Sequence, residues 1–304
     1  MEKKRILLES QSRRDFLRIG LAGAAGLCFS QKTAASSVRT SPAEDYGPLF
    51  TSPPLEVVRV GFVGVGGMGS VHVQNFLNIP GVEIKAICDI VEEKVARAQK
   101  WVEEAGFPRP KGYSRGPWDF RRMCEEEDLD LVFTATPWEW HVPVCVAAMK
   151  NGKHAATEVP AAVTLEECWE LVETAERYKK HCVMMENCCY DRIELMSLNM
   201  VRRGLLGEIL HAEAGYLHDL REVKFSHEGE GLWRRQHSWK RNGNLYPTHG
   251  LGPVAQCMNI NRGDAFDYLV SMSSPSRGLQ LYAREKSGPD SPQARERFAL
   301  GDVN

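Results

Sequence analysis

Gly64, Gly66 and Gly69 stand in the spacing Gly-x-Gly-x-x-Gly, directly behind the β-branched run Val57-Val58-Arg59-Val60. Glycines so placed allow a tight turn, a close approach of backbone to a pyrophosphate, and close packing of the next helix on the strand. A helix expected from Ser70 would then turn its unpaired N–H groups toward the phosphates. About 20 residues on, the run from Val82 to Cys88 ends in Asp89, where a ribose-binding acid belongs in such a fingerprint. A lone glycine loop often only makes a turn. Here strand, loop, helix, strand and acid follow in order, which points to a dinucleotide site. The Asp89 carboxylate would repel a 2′-phosphate, so NAD is expected in preference to NADP.

The elements that must position this loop are legible in the same way. Strands are expected at 129–135, 154–157 and 182–186, and helices at 142–150 and 165–180. Thr164 and Glu167 have capping-box spacing at the start of the second helix. Alternating strands and helices predict an α/β fold, a doubly wound parallel sheet covered on both faces, over residues 56–188. Ligands of such sheets bind beyond the carboxyl ends of the strands. The glycine loop, Asp89, Pro137, Trp138, Glu139, Trp140, His141, Glu158, Val159 and Asn187 all fall at those ends. They should converge on one crevice.

After residue 188 the texture changes. A helix is expected at 193–203, and strands at 209–217 and 279–283. Residues 233–250 interleave basic, amide and aromatic side chains. That mixture suits a carbohydrate, whose faces stack on flat rings while Arg, Asn and His bond its hydroxyls. Nucleic acid is a second reading of it, and a capped loop before a helix at 250–258 is a third. Charge disfavours nucleic acid. The chain has 38 Lys+Arg and 40 Asp+Glu; residues 1–35 hold 7 and 3 of these, leaving 31 against 37, a net charge of −6, in the rest.

At the N-terminus, Ser12-Arg13-Arg14-Asp15-Phe16-Leu17-Arg18 resembles the twin-arginine export motif, and an apolar stretch at 19–29 and small residues near Ala34 and Ala35 follow it. The stretch is too short for a stable membrane anchor and reads as a removable signal over residues 1–35. A basic N-terminal helix is the alternative; a lipoprotein reading of Cys28 is weakened by Leu27 before it. This predicts export to the periplasm by the twin-arginine translocase, which carries folded chains. Residues 36–55, rich in Ser, Thr and Pro, read as a linker. The nine cysteines show no Cys-x-x-Cys pair and no zinc spacing, and no metal is expected. Cys88, Cys145, Cys168 and Cys182 are expected on core faces as free thiols. Adjacent Cys188 and Cys189 are a weaker candidate for a redox pair.

The glycine loop, Glu-Val-Pro at 158–160, Glu-Asn-Cys-Cys-Tyr at 186–190 and Asn-Leu-Tyr-Pro-Thr-His at 244–249 together resemble glycoside hydrolase family 109. That family lies within the glucose-fructose oxidoreductase, inositol dehydrogenase and rhizopine-catabolism superfamily. The resemblance runs from about residue 55 to at least residue 260. It implies a Rossmann domain followed by an α+β domain with a large, mostly antiparallel sheet. Family members are longer, so the second domain, 189–304, is expected to be incomplete on its C-terminal side. Dehydrogenases of the superfamily usually carry Glu-Lys-Pro, whose lysine assists proton transfer; Val159 stands in its place here. The aspartate common a few residues before the later catalytic histidine is also missing, with Tyr246, Pro247 and Thr248 there.

The activity implied is α-N-acetylgalactosaminidase with tightly held, recycled NAD. In that chemistry carbon 3 of the sugar is oxidised, a base takes the acidified hydrogen from carbon 2, the group at carbon 1 is eliminated, water adds, and carbon 3 is reduced again. Paired carboxylates of ordinary glycosidases are not needed. His249, Tyr190, Tyr246 and Glu158 are the acid/base candidates. By the resemblance, Gly67, Met68, Asp89, Trp138, Glu139, Trp140, His141, Glu158, Val159 and Asn187 contact NAD. Tyr216, Arg234, Tyr246, Pro247, Thr248 and His249 line the sugar pocket. The partner implied is a glycan with a terminal N-acetylhexosamine, and a homo-oligomer is compatible with this reading. An NAD-dependent sugar or polyol dehydrogenase, and a non-catalytic sugar-binding relative that keeps NAD, stay open as alternatives.

Overall fold

The computed structural model describes residues 50–304, so the twin-arginine motif and most of the expected linker lie outside the described residues. Residues 51–57 are exposed and carry no regular structure before the first strand. Six strands, β1 (Val58–Val63), β2 (Val82–Cys88), β3 (Lys111–Tyr113), β4 (Leu131–Thr134), β5 (His154–Thr157) and β6 (Cys182–Met184), form one sheet. Every pairing is parallel, in the order β3-β2-β1-β4-β5-β6. Sequence reading anticipated all but β3, whose three residues bury only Tyr113 and are too short for a period to be visible.

The helices α1 (Gly67–Phe76), α2 (Glu92–Glu104), α3 (Asp119–Glu126), α4 (His141–Lys150) and α5 (Leu165–Tyr178) connect these strands. Alternation along β1 sends Val60 and Phe62 into one apolar layer with Val73, Val95 and Val102, while Val63 joins Phe120, Met123, Val142 and Cys145 in the other. The sheet is therefore buried on both faces, as near-continuous β-branched strands require. Thr164 accepts from the Glu167 N–H, and the Glu167 carboxylate accepts from the Thr164 N–H, so the capping box is formed at the head of α5. Cys88 and Cys145 are buried as expected, but Cys168 is exposed. The buried stripe of α5 starts one turn later, at Leu171. Cys124, not anticipated, is buried on α3.

Beyond β6 come α6 (Arg192–Arg202), α7 (Arg221–Phe225), α8 (Arg234–Lys240), α9 (Thr248–Cys257) and α10 (Gly278–Ser287). Two strands expected here take other forms, and the antiparallel sheet expected over 189–304 is not seen among the described residues. Residues 209–217 have no regular structure, and their partly buried positions, Ile209, Ala212 and Tyr216, do not alternate. With no neighbouring strand to bond their N–H and C=O groups, alternation in the sequence alone makes no sheet. Residues 279–283 lie inside α10, where Leu279 and Ala283, four apart, are the buried positions. The Leu, Gln, Ala, Arg, Glu and Lys around them are all good helix formers. The loop considered at 233–250 contains α8, and the helix after it begins at Thr248 rather than Gly250. Among the described residues no helix is long and apolar enough to cross a membrane.

Candidate active site

In this strand order the chain reverses direction across the sheet between β1 and β4, and the connections that leave their carboxyl ends run to opposite sides, which leaves a crevice between them. A cavity of about 490 Å³ opens there. Gly64, Gly66, Gly67, Met68 and Asp89 line one wall, and Trp138, Trp140, His141, Glu158 and Val159 another. Arg234 and Tyr246, from the second half of the chain, close it.

The glycine loop is built to receive a diphosphate. Gly64 has φ of +81°, a conformation that penalises a side chain. A Cβ on Gly69 would collide with the Gly64 carbonyl oxygen, so only glycine lets α1 start this close to β1. A Cβ on Gly67 would meet nothing within 4 Å, so open space lies over the head of α1. Gly66 caps that helix without any side-chain hydrogen bond, which leaves its first N–H groups for a ligand. Helix α1 therefore begins at Gly67, not Ser70. Asp89 has a second duty: its carboxylate accepts the Val65 N–H at 2.9 Å and the Val91 N–H at 3.0 Å, tying the loop to the end of β2. Four lone pairs are available on a carboxylate, so ribose hydroxyls can still be accepted. These features fit NAD.

On the opposite wall, His141 is 1% exposed and held between the carbonyls of Pro160 and Thr136, at 2.6 and 2.9 Å. Burial pushes its pKa down, and the two carbonyls, each of which accepts only from an N–H, oppose that shift; the ring braces loop 136–141 against the segment after β5. Glu158 is joined by a residue that sequence reading missed. His72, one turn beyond Gly69 on α1, bonds one carboxylate oxygen, and the Val159 N–H donates to the other at 3.1 Å. Burial raises the Glu158 carboxyl, but His72 and the Val159 N–H outweigh it and hold it below the usual carboxylate range. Glu158 thus meets the cavity as an anion with both oxygens bonded.

An aromatic cluster carries the cavity into the second half of the chain. The Tyr246 ring lies 5.9 Å from Trp138, 5.5 Å from Tyr216 and 4.6 Å from His249, and its hydroxyl donates to the Val159 carbonyl at 3.3 Å. The Arg234 guanidinium sits 5.2 Å from the ring centres of both Trp138 and Tyr246. Burial pushes the Tyr246 phenol up despite Arg234, so at neutral pH it is a proton donor. His249 packs against Tyr216 at 4.7 Å, and its Nδ1 is 2.6 Å from Oε1 of Glu186, a second residue that sequence reading passed over. Its position at the carboxyl end of β6, beside Asn187, is the signal that marks it.

Some expected site residues stand apart from the cavity lining. Tyr190 is 64% exposed. Glu139 turns toward α8, where Gln236 donates to it at 3.3 Å and His237 lies 3.5 Å away. Asn187 opens the 3₁₀ turn after β6, Pro247 occupies the N-cap position of α9, and Thr248 is its first residue. Cys188 and Cys189 are free, and burial pushes the Cys188 thiol up to about 11, which makes it a poor redox nucleophile. Glu186, Cys188 and His249 bring ligand-type atoms within 4.8 Å of one another, a proximity that the Glu186–His249 hydrogen bond already explains.

Known proteins match both halves of this arrangement. The family model "Oxidoreductase family, NAD-binding Rossmann fold" matches residues 58–186, and "Glycosyl hydrolase 109, C-terminal domain" matches residues 190–304. An α-N-acetylgalactosaminidase of Bacteroides fragilis is 50% identical over 268 residues, covering 87% of this chain and 63% of that protein. One from Shewanella oneidensis is 48% identical over 297 residues, covering 96% of this chain and 65% of that protein. The chain thus spans somewhat less than two thirds of the length of the curated relatives it matches. Among solved structures, the apo scyllo-inositol dehydrogenase of Lactobacillus casei aligns with a TM-score of 0.45 at 21% identity, over 52% of this chain and 45% of that one. With an NAD-binding Rossmann domain followed by the C-terminal domain of that family, the chain belongs to glycoside hydrolase family 109.

Proposed function

We propose that this chain releases terminal α-linked N-acetylgalactosamine, with NAD retained and recycled at each turnover. The observation that carries the reading is Tyr246. It lines the dinucleotide cavity, bonds the Val159 carbonyl on the cofactor wall, and packs on His249. A sugar held against Tyr246 and Arg234 would have its ring carbons within reach of both the cofactor and an imidazole. NAD, when bound, supplies a reversible hydride acceptor. The chain's own residues do the rest. His249 takes a proton from the sugar through Nε2, since Nδ1 is committed to Glu186. Tyr246, kept protonated by burial, would turn its hydroxyl from the Val159 carbonyl to donate toward the departing oxygen. Arg234 would bond sugar hydroxyls while Trp138 backs Arg234 and Tyr246 from beneath, and Glu158 and Val159 would hold the cofactor on the opposite wall. The names of the 50% and 48% identical relatives support the substrate.

The test is turnover of an α-linked chromogenic N-acetylgalactosaminide in deuterated water without added NAD. Release should proceed for many turnovers, and the released sugar should carry deuterium at carbon 2, because the base removes that hydrogen. Turnover that consumes added NAD stoichiometrically would mean a dehydrogenase, and a product with no deuterium at carbon 2 would mean direct displacement.

Export to the periplasm by the twin-arginine route is a second part of the proposal, supported by Arg13, Arg14 and the short apolar stretch after them. Changing both arginines to lysine should strand the precursor in the cytoplasm with its folded domain unharmed. Unimpaired periplasmic delivery in cell fractions would refute this route.

A further inference from the structure

We infer that Glu186 is a positioning residue that holds His249 as the Nδ1–H tautomer and keeps its Nε2 lone pair free for the sugar. This rests on the proposed role of His249 as proton acceptor. Glu186 is 4% exposed at the end of β6, 63 residues away in sequence. Its Oε1 accepts the Cys188 N–H at 3.0 Å and faces His249 Nδ1 at 2.6 Å. An ionised carboxylate only accepts, so in the neutral ring Nδ1 carries the hydrogen.

The packing around the pair is shaped to it. Gly252 lies one turn after His249 on α9, on the same helix face. A Cβ there would stand 3.1 Å from Cγ of Glu186 and 2.9 Å from the Cys189 sulfur. The bare backbone at 252 is what lets α9 close down on the carboxylate. The other oxygen, Oε2, is buried and has no hydrogen-bond partner among the described residues. An apolar side chain would be at least as stable in such a place, so stability alone does not account for the acid. Orientation of the imidazole does: Tyr216 and Tyr246 hold the ring edge-on, and Glu186 selects which nitrogen carries the hydrogen.

The experiment uses the NAD-loaded protein labelled with ¹⁵N in histidine, with His249→Gln to assign the ring signals. The wild-type His249 should show the Nδ1–H pattern. In Glu186→Leu it should revert to the Nε2–H form that a free histidine side chain prefers. In that variant kcat should fall by at least about 10-fold, inside the 10²–10⁴ that a general base contributes. KM, NAD content and melting temperature should hold near wild type, and Glu186→Gln, whose amide oxygen can still accept, should recover most of the loss. A wild-type ring found as Nε2–H overturns the inference. So does a Glu186→Leu protein that keeps the Nδ1–H form, or one that fails to fold or sheds its NAD, since Glu186 would then be structural. The ring signals need no turnover: a tautomer switch in a protein that releases no sugar upholds the positioning and refutes the glycosidase reading instead.

Discussion

Replacing His249 by alanine should lower release of N-acetylgalactosamine by about 10²–10⁴-fold, the usual contribution of a positioned general acid or base. The expectation rests on where the ring lies. It is paired with the buried Glu186 and is itself partly buried, it touches Tyr246 and Tyr216, and its second nitrogen has no partner among the described residues. It does not line the cofactor cavity, whereas Tyr246 does. NAD content should therefore be unchanged, which separates a lost base from a damaged cofactor site. Exchange of the carbon-2 hydrogen should fall in step with sugar release, because the same ring would take that proton. Steady-state rates, carbon-2 deuterium content and nucleotide stoichiometry, measured on one preparation, decide the matter. A near-normal rate would leave His249 as a helix-start histidine packed on two tyrosines.

The second large effect is expected at Asp89. Alanine there deletes the acceptor for the ribose hydroxyls, bonds to a charged group worth about 1.5–3 kcal/mol. It also deletes the acceptor of the Val65 and Val91 N–H groups. A buried donor left unbonded costs about 1–3 kcal/mol, and here the penalty falls on the loop that must cradle the pyrophosphate. The lost ribose bonds alone correspond to about a 10- to 100-fold loss of NAD affinity, while the unpaired N–H groups weaken the loop in the free and bound states alike. Denaturing the purified protein and quantifying the released nucleotide checks this. Wild type should release NAD near one per chain and Asp89→Ala very little. Asp89→Asn keeps a carbonyl acceptor for one backbone N–H and should fall between them. Release of NADP by wild type, or of no nucleotide, would refute the assignment of this crevice.

Local sequence determined the elements that need only local information. β2 and β5 are legible to the residue because a β-branched or small-residue run is bounded by polar and glycine punctuation. The head of α5 is legible because Thr164 and Glu167 satisfy each other across three residues. Gly64, Gly66, Gly69 and Asp89 announced a dinucleotide because that chemistry is carried by backbone geometry over a short span. The motifs at 158–160, 186–190 and 244–249 marked the family, and the alternation of elements implied that they meet. Folding decided which groups face each other there. His72 meets Glu158 across 86 residues and Glu186 meets His249 across 63. No local pattern encodes such pairs; they follow from the strand order and from how closely α1 and α9 approach the sheet ends. The same physics turned 279–283 into helix and left 209–217 unpaired, since a strand exists only where another backbone offers it partners. The sequence names the chemistry available, and the tertiary structure chooses which nitrogen, which oxygen and which helix face deliver it.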